Sequence, residues 1–377
     1  MLYSLLMKNV LILNCGSSSI KYAVIDADTY ETAHNGLVER VKHDQYRSIL
    51  DETIGSLKSQ FPKGFRAIGH RVVHGGEAFT ESTIINDDVI KTIEKCNKVA
   101  PLHNPNNIEG IKAAEAAFPD LPQIAVFDTA FHQTLPDYAY IYPVPYDWYQ
   151  KHQVRRYGFH GTSHRYVALE AAKKLNKNIS ECSLLTAHLG NGCSATAIKN
   201  GKSVDTTMGL TPLEGLMMGT RSGDIDPGLH EYLTHELNCN VHELTNMLNK
   251  KSGLLGVSGV SNDMREIHKA IEKNNRLAKL ALEIFCFRLA KHLSALAVSL
   301  QKLDALIFTG GIGENDQIVR KKTCKWLNML NLYCDDEANK IHGKKTNGLI
   351  STKESTPIFV IRTDEEVMIA KDCIGLA

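Results

Sequence analysis

Glycine-bearing turns that also carry histidine, arginine, aspartate or asparagine recur along this chain of 377 residues. Four such turns lie at 157–164, 188–192, 219–228 and 309–315, and a fifth lies at 14–19. Glycine allows backbone N–H groups to approach an anion closely, and basic side chains beside it add positive charge. The five turns together predict one phosphate-binding site assembled from separate segments.

The turn at 14–19 contains Ser17 and Ser19 and is followed by Lys21, so hydroxyl and ammonium donors lie close in sequence to its glycine. The turn at 309–315 follows a buried-strand pattern and could hold a nucleotide, but G-G-x-G by itself is a weak signal and a plain strand-to-helix turn is the commoner explanation. The pattern G-x-x-x-x-G-K-[ST] is absent from the sequence. Any nucleotide site is therefore not a P-loop.

Three segments, the first of them inside the turn at 219–228, place a cation or a hydrogen-bond donor beside glycine or proline. Arg221 lies among Gly219, Thr220 and Ser222, which suits an arginine held close to a bound anion. Arg71 precedes His74-Gly75-Gly76, and His103 lies in the sequence Pro101-Leu102-His103-Asn104-Pro105. Each one alone has a structural explanation, whereas their recurrence favours function.

His160 and His164 are four residues apart and could be two zinc ligands on one helical face. The glutamate of H-E-x-x-H is missing. Thr162 and Ser163 are candidate N-caps of a helix that reaches Leu175, which places His160 before the first turn. The missing glutamate and the position of His160 before the helix both argue against zinc.

Composition limits the classes of protein to consider. Lys and Arg total 43 against 42 for Asp and Glu, a balance that disfavours a nucleic-acid or membrane surface as partner. The nine cysteines include no C-x-x-C pair, which fits reduced thiols in a cytoplasmic protein. Lys8 and Asn9 interrupt the apolar N-terminal run, so a signal peptide is not expected, and Met7 is an alternative start.

Short apolar or β-branched runs that end in polar turns predict buried strands. They lie at 10–13, 21–25, 67–73, 123–127, 183–188 and 305–309. Helical periodicity extends over 163–175 and 275–303, and Glu365 to Lys371 suits a helix start. Strands and helices in alternation indicate α/β layers.

An internal similarity suggests duplication. Leu11 to Asp26 reads as strand, polar turn, strand and aspartate, and Leu184 to Asp205 repeats this order. Because 377 residues exceed the usual single-core limit of ~250 to 300, two domains are expected. We place them at 1–155 and 156–377, with the boundary near 151–156.

The ordered motifs resemble those of the acetate kinase family almost from end to end. They are N-C-G-S-S-S-I-K, G-H-R-V-V-H-G-G-E, A-P-L-H-N-P, F-D-T-A-F-H, R-Y-G-F-H-G-T-S-H, H-L-G-N-G, M-G-T-R-S-G-D-I-D-P-G, F-T-G-G-I-G-E-N and T-D-E-E. The resemblance implies two duplicated actin-like (ribonuclease H-like) α/β domains around an ATP cleft, with the final helix packed on the N-terminal domain. It also implies a homodimer that transfers the γ-phosphoryl group of ATP reversibly to acetate with Mg²⁺ or Mn²⁺.

The same resemblance implies roles for individual residues. The catalytic residues would be Asp128, His160 and Arg221. The acetate site would comprise Arg71, Val73, Leu102, His103, Phe159 and Pro212. The phosphate path and nucleotide loops would comprise Ser17, Ser19, Lys21, His188, Leu189, Gly190, Asn191, Gly192, Asp263, Met264, Arg265, Gly311, Ile312, Gly313, Glu314 and Asn315. The metal ligands would be Asn14 and Glu365.

Two departures from the family pattern and two alternatives remain. Cys15 replaces a common alanine, and Asp364 replaces the usual asparagine beside Glu365. A propionate kinase would share nearly every motif, with Val73 as the discriminating position. A non-enzymatic ATP-binding protein of the actin or chaperone type would have no use for Arg71 and His103. Since the acid substrate is already ionised at pH 7, Asp128 is expected to organise the metal rather than to act as a base.

Overall fold

The structure is a computed structural model that describes residues 7–16, 19–100 and 103–377. Its strands, in chain order, are β1 (Asn9–Cys15), β2 (Ser19–Asp26), β3 (Thr32–Glu39), β4 (Ala67–Val72), β5 (Thr83–Ile84), β6 (Gln123–Phe127), β7 (Ser183–Leu189), β8 (Cys193–Lys199), β9 (Lys202–Thr206), β10 (Ala305–Thr309) and β11 (Ile358–Val360). The expected strands are thus confirmed, with ends shifted by a few residues at most.

The helices follow the same chain numbering. They are α1 (Tyr46–Gln60), α2 (Asp87–Lys95), α3 (Asn104–Ala117), α4 (Asp137–Tyr140), α5 (Tyr146–His152), α6 (Gly161–Lys174), α7 (Leu229–Glu236), α8 (Val241–Lys250), α9 (Gly253–Ser258), α10 (Met264–Glu272), α11 (Arg276–Ala297), α12 (Gly310–Asn315), α13 (Gln317–Cys324), α14 (Asp336–Lys340) and α15 (Glu365–Leu376). Together with the strands they confirm a mixed α/β fold.

The chain divides into two compact units. Within the described residues, unit 1 comprises the chain up to residue 133 together with 161–163 and 364–377, and unit 2 comprises 134–160 and 164–363. Helix α15 belongs to unit 1, where its Ile369 packs against Val10 and Ile12 of β1. The sequence boundary at residue 155 stays a prediction.

The sheet of unit 1 has the strand order β3-β2-β1-β4-β6-β5. Strand β1 of this sheet has apolar residues at consecutive positions. Because consecutive side chains point to opposite faces of a strand, both faces of β1 are buried. Leu11 and Leu13 pack with α1 and α3, through Ile54 and Ala113 among others. The opposite face packs on α15, which explains why so short a strand is entirely apolar at its centre.

The sheet of unit 2 has the order β11-β10-β7-β8-β9. In each sheet two strands form an antiparallel hairpin. The second strand of the hairpin pairs with a third antiparallel strand, and the first strand of the hairpin pairs with a parallel strand. The order β3-β2-β1-β4-β6 in unit 1 thus matches β9-β8-β7-β10-β11 in unit 2. The duplication expected from 11–26 and 184–205 is a shared topology.

Two helix limits differ from the sequence prediction. Thr162 and Ser163 are not N-caps: α6 begins at Gly161, and His160 holds the N-cap position in a left-handed conformation with φ 57°. Helix α11 ends at Ala297 rather than at residue 303. The chain turns tightly after Ala297, and Gln301 reverses it with φ 64°.

The described residues include no helix long and apolar enough to cross a membrane. All nine cysteines carry free thiols. The thiols at Cys15, Cys193 and Cys286 are buried, and burial raises the pKa of each to about 12. These three thiols therefore stay protonated and chemically inert near neutral pH.

Candidate active site

Parallel strands bring three predicted site residues of unit 1 to one edge of the sheet. Asn14 lies near the end of β1, Arg71 near the end of β4, and Asp128 directly after β6. Strands β1, β4 and β6 run parallel, so their carboxyl ends meet at the same edge. Ligands of open α/β sheets bind at that edge.

Arg71 is the centre of this cluster. Its Nε and Nη2 donate to Oδ1 and Oδ2 of Asp128 over 2.9 and 2.6 Å, and its Nη1 donates to Oδ1 of Asn14 over 3.4 Å. Oε2 of Glu365, at the start of α15, lies 3.5 Å from Nε. One guanidinium group therefore connects the predicted acid-binding, catalytic and metal-binding residues of this unit.

The charges of this cluster influence one another strongly. Burial raises the pKa of the Asp128 carboxyl group, and the Arg71 guanidinium opposes that shift. Burial also disfavours charge on Arg71, but the carboxylates of Asp128 and Glu365 outweigh it and raise its pKa above the usual range. Arg71 is consequently a permanent cation, suited to bind a further carboxylate.

Two asparagines that the sequence reasoning missed hold the loop after β4. The backbone N–H of Val73 donates to Oδ1 of Asn107 over 3.1 Å, and Nδ2 of Asn107 donates to the Cys15 carbonyl over 2.7 Å. Asn104 bonds both the N–H and the carbonyl of His74. Both lie in the first turn of α3, after His103, and buried amides there are the signal that could have found them.

Other predicted residues of unit 1 have varied positions. Lys21 of β2 forms an ion pair with Glu366. The carbonyl of Ser19 accepts from the N–H of Gly16 over 2.9 Å and closes the first turn. Ser17 and Leu102 lie outside the described residues.

The Asp364 departure has a structural explanation. Its side chain accepts a hydrogen bond from the Val367 N–H over 3.0 Å and so caps α15. Asparagine caps helices as well as aspartate does, so the exchange preserves this role. The carboxylate of Asp364 is therefore used by the helix.

In unit 2, His160 and Arg221 lie beside the turn that joins β7 to β8. A Cβ atom placed on Gly192 would lie 3.4 Å from Nη1 of Arg221 and 3.6 Å from Nε2 of His160. Glycine leaves this space open between the tips of the two side chains. The His188 ring stacks on that of His160 with centroids 4.4 Å apart.

Arg221 is a largely buried cation without a carboxylate partner in the described part of the chain. Its Nη1 donates to the Pro212 carbonyl over 3.2 Å and also contacts the sulfur of Met218. Burial lowers the pKa of Arg221. A desolvated guanidinium group with no counterion is a strong candidate for binding an anionic ligand.

Gly161 is required by close approach in unit 1. Its N–H donates to the Asp128 carbonyl over 2.9 Å, and an added Cβ would lie 2.3 Å from that oxygen. A side chain at this position would displace the backbone of Asp128. This contact also explains why α6 begins at Gly161 and not at the later hydroxyl residues.

A cavity of about 610 Å³ in unit 2 brings together most of the predicted nucleotide segments. Its lining residues are Gly190, Asn191, Asn262, Asp263, Met264, Arg265, His268, Gly311, Ile312, Asn315, Asp316, Gln317 and Ile318. A volume of ~300 to 1,000 Å³ is usual for small-molecule sites. The turn predicted at 309–315 contains the short helix α12, which begins at Gly310.

Three predicted nucleotide residues have contacts within the fold of unit 2. Leu189 is buried in the sheet, and the Gly313 carbonyl accepts from Nη1 of Arg320 over 2.8 Å. Oε1 of Glu314 accepts the N–H groups of Gly310 and Thr363 over 3.0 and 3.1 Å. These groups hold the wall of the cavity in place.

The sequence reasoning missed two titratable residues of the lining. Nε2 of His268 lies 2.6 Å from Oδ2 of Asp316, and the two come from α10 and from the N-cap of α13. Their separation of 48 residues leaves no local sequence signal. Phe159, by contrast, was predicted, and it is buried in unit 2.

Comparison with known proteins agrees with this picture. A family model, described as the acetokinase family, matches residues 9–60 and 47–371. An acetate kinase of Shewanella sp. (strain ANA-3) is 50% identical over 393 aligned residues, which cover 98% of this chain and 98% of the relative. The same coverage and identity hold for an acetate kinase of Shewanella putrefaciens (strain CN-32 / ATCC BAA-453).

Solved structures give the same result. A propionate kinase from Francisella tularensis subsp. tularensis SCHU S4 superposes with a TM-score of 0.90 at 45% identity, covering 98% of this chain and 100% of that one. Porphyromonas gingivalis acetate kinase gives a TM-score of 0.89 at 40% identity, with coverage of 98% and 99%. With a matching family model and half-identical relatives across nearly its whole length, the chain belongs to the acetokinase family.

Proposed function

We propose that this protein catalyses reversible transfer of the γ-phosphoryl group of ATP to acetate, giving acetyl phosphate and ADP. The observation that carries the proposal is Arg221, a largely buried cation without a carboxylate partner in the described residues, whose Nη1 lies near Gly192 together with Nε2 of His160. Such a pair suits the charge that spreads over phosphoryl oxygens in the transition state. The acetate kinases among the relatives support the choice of acid.

The reaction needs alignment and charge neutralisation more than proton transfer. A carboxylate oxygen of acetate attacks the γ-phosphorus while the bond from that phosphorus to the β–γ bridging oxygen breaks, and ADP leaves. Because acetate is already an anion at neutral pH, no base is required to activate it. We assign Arg71 to the acetate carboxylate and His160 and Arg221 to the phosphoryl oxygens.

Asn14 and Glu365 are proposed to hold Mg²⁺, with Mn²⁺ as a substitute. Both present oxygen atoms, the ligands that Mg²⁺ prefers, and the ion commonly uses one or two protein ligands beside substrate phosphates and waters. Both residues also lie next to Arg71. When bound, the metal would neutralise charge on the phosphates.

The 610 Å³ cavity is proposed to receive ATP, with Gly190, Asn191 and Gly311 close to the phosphates. Glycine at positions 190 and 311 allows backbone N–H groups to approach an anion. A cytoplasmic location is proposed as well, since nine free thiols suit a reducing compartment.

An assay with acetate, with propionate and without acid tests the proposal. ADP release is coupled to NADH oxidation, and acyl phosphate is trapped as the hydroxamate. We expect acetate to give the larger kcat/KM and the sample without acid to give only background. ATP hydrolysis that does not depend on an acid would contradict a carboxylate kinase.

Propionate is the second candidate substrate, because one superposed structure is a propionate kinase. Val73 lies two residues after Arg71, is 8% exposed and is fixed by Asn107, so its methyl groups are proposed to limit the acyl pocket. In Val73→Ala, space for one further carbon should raise the propionate-to-acetate ratio of kcat/KM by roughly tenfold. Acetate should suffer mainly in KM.

Val72→Ala is the matched control for this change. Val72 is fully buried in the core of unit 1 and contacts Phe79 and Phe127. Its truncation should lower stability without moving the substrate ratio. If the Val73 variant keeps the wild-type ratio, or if the wild type already prefers propionate, Val73 does not select the acid.

A homodimer is proposed from an exposed apolar stripe on α11. Leu277, Leu280 and Phe287 are 43%, 45% and 48% exposed, and their spacing places them along one helical face. Exposed apolar groups at such spacing mark interaction surfaces. The substitution Phe287→Glu should convert a dimer to a monomer in sedimentation velocity, because it would bury a charge.

Lys279→Glu is the control, since Lys279 is exposed on the same helix but off the stripe. It should sediment as the wild type does. A wild-type protein that sediments as a monomer, or a Phe287→Glu variant that remains a dimer, would rule out this interface.

A further inference from the structure

A row of hydrogen bonds in unit 2 leads from the sheet to His160. Oγ1 of Thr186, on β7, lies 2.7 Å from Nδ1 of His164, on α6. Nε2 of His164 lies 2.7 Å from Oγ of Ser194, on β8, and the same oxygen lies 2.9 Å from Nδ1 of His160. Three side chains thus connect a strand to the histidine assigned to the phosphoryl group.

The row is isolated from solvent. Thr186, His164 and Ser194 are all 0% exposed. A buried polar group must find its partners within the protein, so every proton of the row has a defined place. Both ring nitrogens of His164 are used by hydroxyl groups.

The direction of the row follows from its first member. The Thr186 hydroxyl donates to the Thr196 carbonyl over 3.3 Å, and a carbonyl can only accept. A hydroxyl has one proton, so Thr186 accepts from Nδ1–H of His164. Neutral His164 then accepts at Nε2 from the Ser194 hydroxyl, and Ser194 in turn accepts from Nδ1–H of His160.

We propose that Thr186, His164 and Ser194 are positioning residues that keep the Nδ1 proton on His160, so that His160 donates from Nε2 only as an imidazolium cation. This inference rests on the proposed function for its consequence in catalysis. A Cβ atom added to Gly192 would lie 3.5 and 3.6 Å from Cε1 and Nε2 of His160, and 3.4 Å from Nη1 of Arg221. His160 would therefore act on phosphoryl oxygens with a full positive charge.

The groups around His160 in unit 2 make its protonation depend on the ligand. Arg221 lies across Gly192, the His188 ring stacks on one face, and His164 lies behind Ser194. The negative charge of the phosphates of a bound nucleotide favours the doubly protonated, cationic ring. As pH rises, His160 loses the Nε2 proton first and keeps the Nδ1 proton, so kcat should fall on the alkaline side.

Nitrogen NMR of selectively ¹⁵N-histidine-labelled enzyme tests the proposal without substrate. The signals of His160 are identified by their loss in His160→Asn. At a pH where the ring is neutral, we expect a protonated shift for Nδ1 and an unprotonated shift for Nε2. A neutral ring protonated at Nε2 in the wild type would overturn the proposal, whatever the activity.

Variants of the row give a second readout. In Ser194→Ala, neutral His160 can move its proton to Nε2, so the alkaline limb of the kcat profile should flatten. Below that limb, kcat should fall about tenfold with little change in KM, because the ring is less well held. Thr186→Val should change the pH profile of kcat in the same direction. Thr186→Ser, which keeps the hydroxyl group, should have the wild-type profile.

Thr196→Val is the matched control. It removes a buried hydroxyl group from β8, where it bonds Thr206, and leaves the carbonyl that orients Thr186. A folded Ser194→Ala variant with the pH profile and NMR shifts of Thr196→Val would reduce the row to packing and contradict the proposal. The expected NMR shifts in a protein without carboxylate kinase activity would keep the row and reject the proposed function instead.

Discussion

Arg221→Ala is expected to lower turnover by ~10²-fold or more, the scale of losing one preorganised donor to developing charge. The affinity for ATP should change little, because the cavity residues Gly190, Asp263 and Gly311 remain. Burial lowers the pKa of Arg221, which means that its charge is held against a desolvation cost, and no carboxylate among the residues that the structure describes offsets it. Thermal stability should therefore be unchanged or higher in the variant.

Steady-state kinetics and a thermal melt check this prediction together. Arg276→Ala is the control, since Arg276 is exposed at the start of α11 and should leave both quantities unchanged. A folded Arg221→Ala enzyme with turnover near wild type would remove Arg221 from the chemistry. A large loss of stability with turnover intact would assign it to structure.

Asp128→Asn is expected to lower kcat/KM by about 10²-fold or more at every pH. The substitution keeps the shape of the side chain but removes the charge that pairs with Nε and Nη2 of Arg71. Removing one partner of a buried ion pair is costly, on the order of 3 to 5 kcal/mol, because the other charge is left unpaired. Arg71 would then be drawn towards Glu365, and KM for acetate should rise.

The pH profile and the Mg²⁺ activation curve distinguish the roles open to Asp128. A general base would give activity that recovers as pH rises, which an already ionised acid does not require. If the activity of Asp128→Asn depends less on Mg²⁺ than that of the wild type, Asp128 also organises the metal, as the sequence predicts. If the activity of Asp128→Asn recovers at high pH while its Mg²⁺ dependence is unchanged, Asp128 neither organises the metal nor acts by pairing with Arg71.

Asp205→Asn serves as the control for Asp128→Asn. Burial also raises the pKa of Asp205, whose carboxylate accepts hydrogen bonds from the Thr206 N–H and the Ser299 hydroxyl. It should lose stability while keeping its pH profile. The comparison separates the loss of a buried carboxylate in general from the loss of this one.

Local patterns determined the elements of the fold. The apolar run before Asn14 predicts β1, and the run before the glycines at 310 and 311 predicts β10, because strand formation depends on side chains close in sequence. The repeated hairpin pattern predicts a duplication for the same reason. Asn275 caps α11 through the Ala278 N–H, which is again a local interaction.

Local patterns failed where a distant group competed. Thr162 and Ser163 are good caps by type, yet the helix starts at Gly161, whose N–H bonds the Asp128 carbonyl 33 positions earlier in the chain. The Asp128 carbonyl is not visible from the sequence around Gly161.

The sequence by itself determined which residue types are available for phosphoryl transfer, because glycine turns, basic side chains and carboxylates recur in an order typical of one family. Only the tertiary structure decided how they are paired. Arg71 and Asp128 are 57 residues apart and meet through the parallel register of β4 and β6. Ser194 reaches both His160 and His164 for the same kind of reason: protonation and pairing depend on long-range geometry, which local periodicity does not encode.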